Sequence, residues 1–392
     1  LTTKYNVLFN GKEAFSVGEE ILSNAYEDNF YELLPIEPIN LRGENIDETT
    51  IVPGFDKAEE KAVKAIQKHS IKIDETQYNS QIDEAYMLLG KARYFDRRFF
   101  PALEAFNFLL ESGANPSIYL EGKIWREKTN IRLKNTELAI ENLSILAQSL
   151  SKKNKFYPLV NATLADAYIQ LKQLDSASLY IHRAAIQEPK RKNKARYLFI
   201  SGQLLETLQL RDSARLQFKS IGQLNRKAPR TILIQAKIKE MLLASSLETD
   251  EKLDQIEKLL KNFENEPFQH RIHSAIAKLH LGQGQDSLAA VYFEKSLQAP
   301  SIDSFTEIQN YQDLAAYYFE KGSYLKTGEY LDRLLPLFED SSSRYNQIKR
   351  QRDNLSDIIL YEQSVKETDS ILEILAMSED CLLYTSDAAD EG

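Results

Sequence analysis

Three histidines, His270, His273 and His280, fall within eleven positions and offer this 392-residue chain its most obvious chance at metal chemistry. On a helix His270 and His273 would share a face, where two imidazoles can hold one divalent ion. His280 would then sit ~10 Å from His273 along the axis, out of reach of that ion, and no third ligand has a usable spacing. The histidines therefore read as solvated or packed side chains, and no metal or other cofactor is expected. The only thiol, Cys381, lies in a tail, CLLYTSDAADEG, that looks like a sequencing adapter translated as protein. Setting 381–392 aside removes thiol nucleophiles and disulfides, and takes the net charge from −9 to −6. The chain has no G-x-S-x-G, no glycine-rich phosphate loop and no H-E-x-x-H, and its carboxylate pairs fall on faces that helical periodicity leaves to solvent. Catalysis is not expected.

The positioning elements must be helices. Apolar residues step by three and four rather than two. Lys and Arg (49) are outnumbered by Asp and Glu (58) in short mixed blocks, so no basic stripe exists for nucleic acid. No run approaches the ~18 to 20 apolar residues of a membrane span. Twenty Tyr and eighteen Phe suit helix packing with aromatic spacers.

The organising stretch is Asp83 to Leu110. Tyr86, Leu89, Gly90, Tyr94, Ala102 and Phe106 stand where two helices would meet face to face, with Gly90 and Ala102 small enough for close approach and Pro101 suited to a first turn. This spacing resembles the tetratricopeptide repeat. The small residue followed four positions later by an apolar one returns at Ala102/Phe106, Ala139/Leu143, Ala177/Ile181 and Ala214/Phe218, spaced 37, 38 and 37 residues. It is weaker around Leu253 and Glu257, then clear at Ala289/Phe293 and Thr327/Leu331. The second unit departs from the pattern, with Glu127 where a small residue is wanted. The resemblance implies an all-α solenoid of about seven hairpins wound as a right-handed superhelix, over 57–340.

Residues 1–56 are expected to form an amphipathic helix, entered through Asn10-Gly11, and then an irregular, surface-lying connection from Leu34 to Gly54. Residues 341–380 read as one long charged helix, cut short by the end of the natural sequence. Ile358, Tyr361, Val365, Thr368, Leu372 and Leu375 give it a heptad-like seam. The inner faces of first helices offer Lys91, Tyr94, Phe95, Lys128, Arg196, Gln203, Lys278 and Phe319 as protein-binding candidates. They do not assemble a carboxylate clamp. Trp125 reads as a core spacer, and Lys91→Glu is expected to change stability by less than ~0.5 kcal/mol, as a surface substitution.

Three stretches, LTTKYNVLFNGKEAF at 1–15, AEEKAVKAIQKHSI at 58–71 and YNSQIDEAYMLLGKARY at 78–94, together resemble the tetratricopeptide lipoproteins of Bacteroidota gliding motility and type IX secretion, the SprE/PorW group. Tyr5, Asn6, Phe9, Asn10 and Gly11 match that family's YNxxFNG motif, which follows shortly after its lipid-modified cysteine. The resemblance implies a scaffold on the periplasmic face of the outer membrane, touching the membrane only through a lipid anchor upstream of Leu1 and meeting other secretion and gliding components as partners. The alternative is a generic peptide-binding module, as in a co-chaperone or a sensory domain.

Overall fold

The computed structural model describes residues 3–39, 53–73, 76–112 and 115–376. Leu41, Ile46, Ile51, Val52 and the tail 381–392 lie outside the described residues. Where the sequence suggests one body over 57–340, the chain divides into two compact units, Leu1–Ser246 and Leu247–Gly392. Both are helical. Among the described residues the only extended pairing joins Lys72–Ile73 to Thr76–Gln77.

The first unit opens with α1 (Phe9–Ala25) and α2 (Phe55–His69), then stacks four hairpins: α3 (Gln81–Phe95) with α4 (Phe99–Glu111), α5 (Pro116–Arg132) with α6 (Thr136–Ser149), α7 (Tyr157–Gln170) with α8 (Leu174–Gln187), and α9 (Arg191–Thr207) with α10 (Arg211–Gly222); α11 (Arg230–Leu242) closes it. The second unit runs from α12 (Thr249–Leu260) through the hairpins α13 (Gln269–Gly282) with α14 (Asp286–Leu297) and α15 (Ser304–Glu320) with α16 (Tyr324–Leu334) to α17 (Ser343–Asn354) and α18 (Ser356–Leu375). The unit boundary falls between α11 and α12, where the sequence pattern is weakest. This is the all-α, tetratricopeptide-type hairpin fold that the spacing implies.

Each hairpin closes on one crossing. A Cβ at Gly90 would lie 2.4 Å from Cε1 of Phe106, and one at Gly202 would lie 2.6 Å from Cζ of Phe218. The equivalent pairs are Ala165 with Ile181 and Ala315 with Leu331, all buried. At Glu127 the small residue is replaced by a buried carboxylate that accepts from Asn130 Nδ2 (2.8 Å), Asn142 Nδ2 (3.1 Å) and Arg126 Nε (2.8 Å). Those donors satisfy a charge that burial would otherwise make costly, so the second hairpin keeps its register with a different filling.

The turns between paired helices repeat as closely as the crossings. Arg97, Lys134, Lys172, Gln209, Gly284 and Gly322 all have φ between 58° and 72°. The amide after each returns to a carbonyl five residues back, as in Arg98 N to Arg93 O (2.9 Å) and Ser323 N to Tyr318 O (2.9 Å). This left-handed residue lets the chain reverse while satisfying the last carbonyls of the first helix.

Both ends of the chain differ from the sequence expectation. Asn10-Gly11 is not an entry turn: Gly11 lies inside α1, where a Cβ would meet Leu88 at 2.9 Å, and Gly18 lies as close to Phe55. The N-terminal region is therefore interlocked with α2 and α3. At the other end, the single long helix is two. Leu355 stands at the break, and Ile348, Leu355 and Ile359 all bury in the cluster at the α16 end of their unit.

Candidate functional site

The first helices α3, α5, α7 and α9 stand side by side, and their shared face forms a groove. In an isolated hairpin that face would be exposed, yet every residue of α9 from Ala195 to Leu204 is buried. One side packs on its neighbours. The other is covered by residues 26–39, a non-helical strap that Pro35 and Pro38 keep from coiling.

The strap is held by apolar anchors and charges. Phe30 meets Phe199 edge-on at 5.2 Å, and Leu34 is 1% exposed. Arg196 donates Nη1 and Nη2 to the Asp28 carboxylate (3.1 and 2.6 Å) and Nε to Pro35 O (2.9 Å). Gln203 holds the strap backbone from both sides, accepting from Leu34 N (3.0 Å) and donating to Glu32 O (2.7 Å). Further along, Glu37 takes Lys128 Nζ at 2.6 Å and Tyr94 Oη at 2.9 Å, while Arg132 donates Nε to Tyr94 Oη (3.0 Å) and pairs with Asp166 (3.2 Å). Lys128 also lies 4.0 Å over the Trp125 ring. Beside the strap a cleft of about 430 Å³ remains, lined by Glu19, Thr163, Asp166, Lys192 and Asn193 among others.

Electrostatics favour the strap's charged form. Burial pushes the Glu37 carboxyl up, but Lys128, Arg132 and the Tyr94 hydrogen bond together hold it below the usual glutamate range. Burial, with the Glu37 charge alongside, pushes the Tyr94 phenol well up, so it remains a donor. An unfolded Glu titrates near ~4.3. Because the folded value is lower, this contribution is complete above that pH and is lost as pH falls through the folded value. Trp125 emission, which senses Lys128, is therefore expected to stay constant from about pH 7 to 5 and to change below about pH 4. A transition between pH 6 and 8 would contradict the assignment.

Of the sequence candidates, Tyr94, Lys128, Arg196 and Gln203 come together on the strap. Lys91 and Phe95 are close by but otherwise engaged. Lys91 pairs with Glu121 at 2.5 Å beside Trp125, so Lys91→Glu would set two carboxylates together and is expected to cost about 1 kcal/mol, not the small change expected of a surface cation. Phe95 stacks on Phe55 at 5.4 Å and belongs to the core with α1 and α2. Trp125, 8% exposed, packs against Tyr94, Phe95 and Phe106 as the core spacer expected. Lys278 (2.9 Å from Asp313) and the exposed Phe319 belong to the second unit and are no part of this groove.

Sequence reasoning missed Arg132, Asp166 and the strap itself. The available signal was Phe30, Leu34, Ile36 and Ile39, four apolar residues in a proline-spaced stretch that cannot form an amphipathic helix and so needs cover from elsewhere. The expectation of a surface-lying connection fails at residues 34–39 for that reason.

The histidines are separately engaged. His270 Nε2 meets Asp303 Oδ2 at 2.6 Å, and Asp303 also takes Arg271 Nε (2.8 Å) and caps α15 through Thr306 N (2.8 Å). His280 bonds Gln285 at 2.6 Å and stacks on Tyr292. Burial pushes His273 down, helped by Lys295. Among the described residues no group of three or more His, Cys, Asp or Glu could hold a metal ion.

No family model matches the chain, and no curated protein matches it significantly. Many solved structures are similar in part, among them the following three. A tetratricopeptide repeat protein from Parabacteroides merdae is 14% identical with a TM-score of 0.47, over 69% of this chain and 97% of that one. The apo form of RapI is 16% identical (TM-score 0.38, 62% and 91% covered). TTC0263 of Thermus thermophilus, a thermophilic tetratricopeptide protein, is 19% identical (TM-score 0.31, 58% and 96%).

Proposed function

We propose that this protein is a non-enzymatic scaffold that joins envelope proteins of the type IX secretion and gliding machinery, working at the periplasmic face of the outer membrane. The observation that carries the scaffold reading is the stripe on α18. Ile358, Tyr361, Val365, Leu372 and Leu375 are 42% to 73% exposed. The buried contacts of that end are instead made by Leu355 and Ile359, so among the described residues the seam covers nothing within its unit. An apolar stripe of this kind is a protein-binding feature more often than the regular middle of a repeat stack is. The placement in secretion and gliding rests on the resemblance of residues 1–15, 58–71 and 78–94, and the lipid anchor on that resemblance alone. A generic peptide-binding module is the second reading, favoured by a groove that already holds an extended segment.

The two ends do not serve equally as contact surfaces. Deleting 1–54 would remove the buried Phe30, Leu34, Gly11 and Gly18 and so disturb packing, whereas the α18 stripe can be altered on its exposed face alone. Tyr361→Asp with Leu372→Asp is expected to leave stability within about 0.5 kcal/mol while removing partners captured from an envelope extract by the unaltered chain. Partners retained at full strength would sink the α18 assignment. In the host, loss of the gene is expected to stop both export of type IX cargo and surface spreading. Normal export would refute the secretion assignment and leave the scaffold reading standing.

A further inference from the structure

We infer that the first-unit groove is a binding site for an extended, acidic partner peptide with an aromatic and a leucine anchor, and that residues 26–39 occupy it as a built-in competitor. This goes beyond the scaffold role and does not depend on where in the cell the protein works.

Three observations carry it. The groove contacts peptide backbone with side chains: Gln203 brackets Leu34 N and Glu32 O, and Arg196 takes Pro35 O, contacts that any extended chain in this position can make. Its charges complement its occupant, with Arg196 on Asp28 at one end and Lys128 on Glu37 at the other. The strap is also an imperfect filling, because the cleft of about 430 Å³ beside it is lined by Thr163, Lys192 and Asn193, groups that a longer side chain could reach. The rest of that cleft is mostly apolar, with Leu22, Leu159 and Ile232 on it, so a bulkier partner side chain would find both surface to bury and polar groups to meet.

A tethered occupant faces its site at an effective concentration on the order of millimolar. A free peptide of micromolar intrinsic affinity then meets a site that is mostly closed, and its apparent affinity falls in proportion to the small open fraction, by a factor on the order of a thousand. A partner is thus admitted only when it binds better than the strap does, or when it also contacts the adjoining cleft.

The test uses the full chain and a fluorescein-labelled peptide of sequence YEDNFYELLPIEPI, that of residues 26–39. The unaltered protein is expected to bind it weakly. Phe30→Ser with Leu34→Ser, which loosens the strap and leaves the groove intact, is expected to bind it at least about tenfold more tightly. Adding Arg196→Glu should abolish the gain, and a peptide with Asp28 and Glu37 replaced by Lys should not bind. Should the double variant not fold, Leu34→Ala alone gives the same comparison, with hydrogen exchange at the Leu34 amide as its check on strap release. A folded, strap-released protein that ignores the peptide overturns the proposal, as does binding indifferent to Arg196→Glu or to the peptide's charge. Dimers formed by exchange of straps would identify a second copy as the occupant and overturn it too.

Discussion

Gly90→Ala is expected to destabilise the first unit by about 2 kcal/mol, and Gly90→Leu by about 3. The added Cβ would lie 2.4 Å from the Phe106 ring, inside any real contact, and Phe106 is 0% exposed with Trp125 stacked behind it at 6.3 Å. The ring cannot step aside, so the helices must separate. The other hairpins indicate the cure. Where the first helix carries alanine, as at Ala165 and Ala315, the partner is Ile181 or Leu331, although the α13–α14 crossing accepts Ala277 with Phe293. Adding Phe106→Leu to Gly90→Ala is accordingly expected to recover about 1 kcal/mol relative to the sum of the single changes, a coupling readable from urea denaturation of the four-member cycle. Strict additivity would show that Gly90 and Phe106 do not share a crossing and that the repeat register is misplaced.

Arg196→Ala is expected to cost about 2 to 3 kcal/mol. Its guanidinium makes a two-toothed contact with Asp28 and a third bond to Pro35 O, at a site where the paired side chains are only 9% and 16% exposed. Removing one partner leaves a carboxylate and a carbonyl poorly hydrated, which costs more than the pair itself contributes. Asp28→Ala with Arg196→Ala should therefore be less damaging than the sum of the two, with coupling of about 1.5 kcal/mol. The same change should open the strap to proteolysis near Glu32 while α18 remains unaffected. A null result in both assays would show the strap to be a passenger.

The parts of this molecule that sequence reveals are those written at short range. Gly90 with Phe106, or Ala177 with Ile181, are joined by one turn and one helical period, so their spacing carries their geometry. Asp28 and Arg196 meet across 168 residues, and nothing local to either names the other. Lys128, Arg196 and Gln203 were recognisable as inner-face groups from repeat position alone. That their ligand was the chain's own residues 26–39 was not. At Leu355 the opposite happened: the three- and four-residue rhythm continues through the break, because Ile348, Leu355 and Ile359 satisfy both a straight helix and a bent one. Only the position of α16 decides between them.

The turns hold adjustable stability. In the first unit the left-handed position between paired helices is filled by Arg97, Lys134, Lys172 and Gln209, while in the second it is filled by Gly284 and Gly322. A side chain there costs about 1 kcal/mol that glycine does not incur, partly offset because glycine also loosens the unfolded chain. Glycine at the four positions should raise the melting temperature in small, additive steps, since the sites lie a full hairpin apart. The same four positions read as tuning points: places where heat tolerance can be gained or shed one substitution at a time, through backbone strain alone.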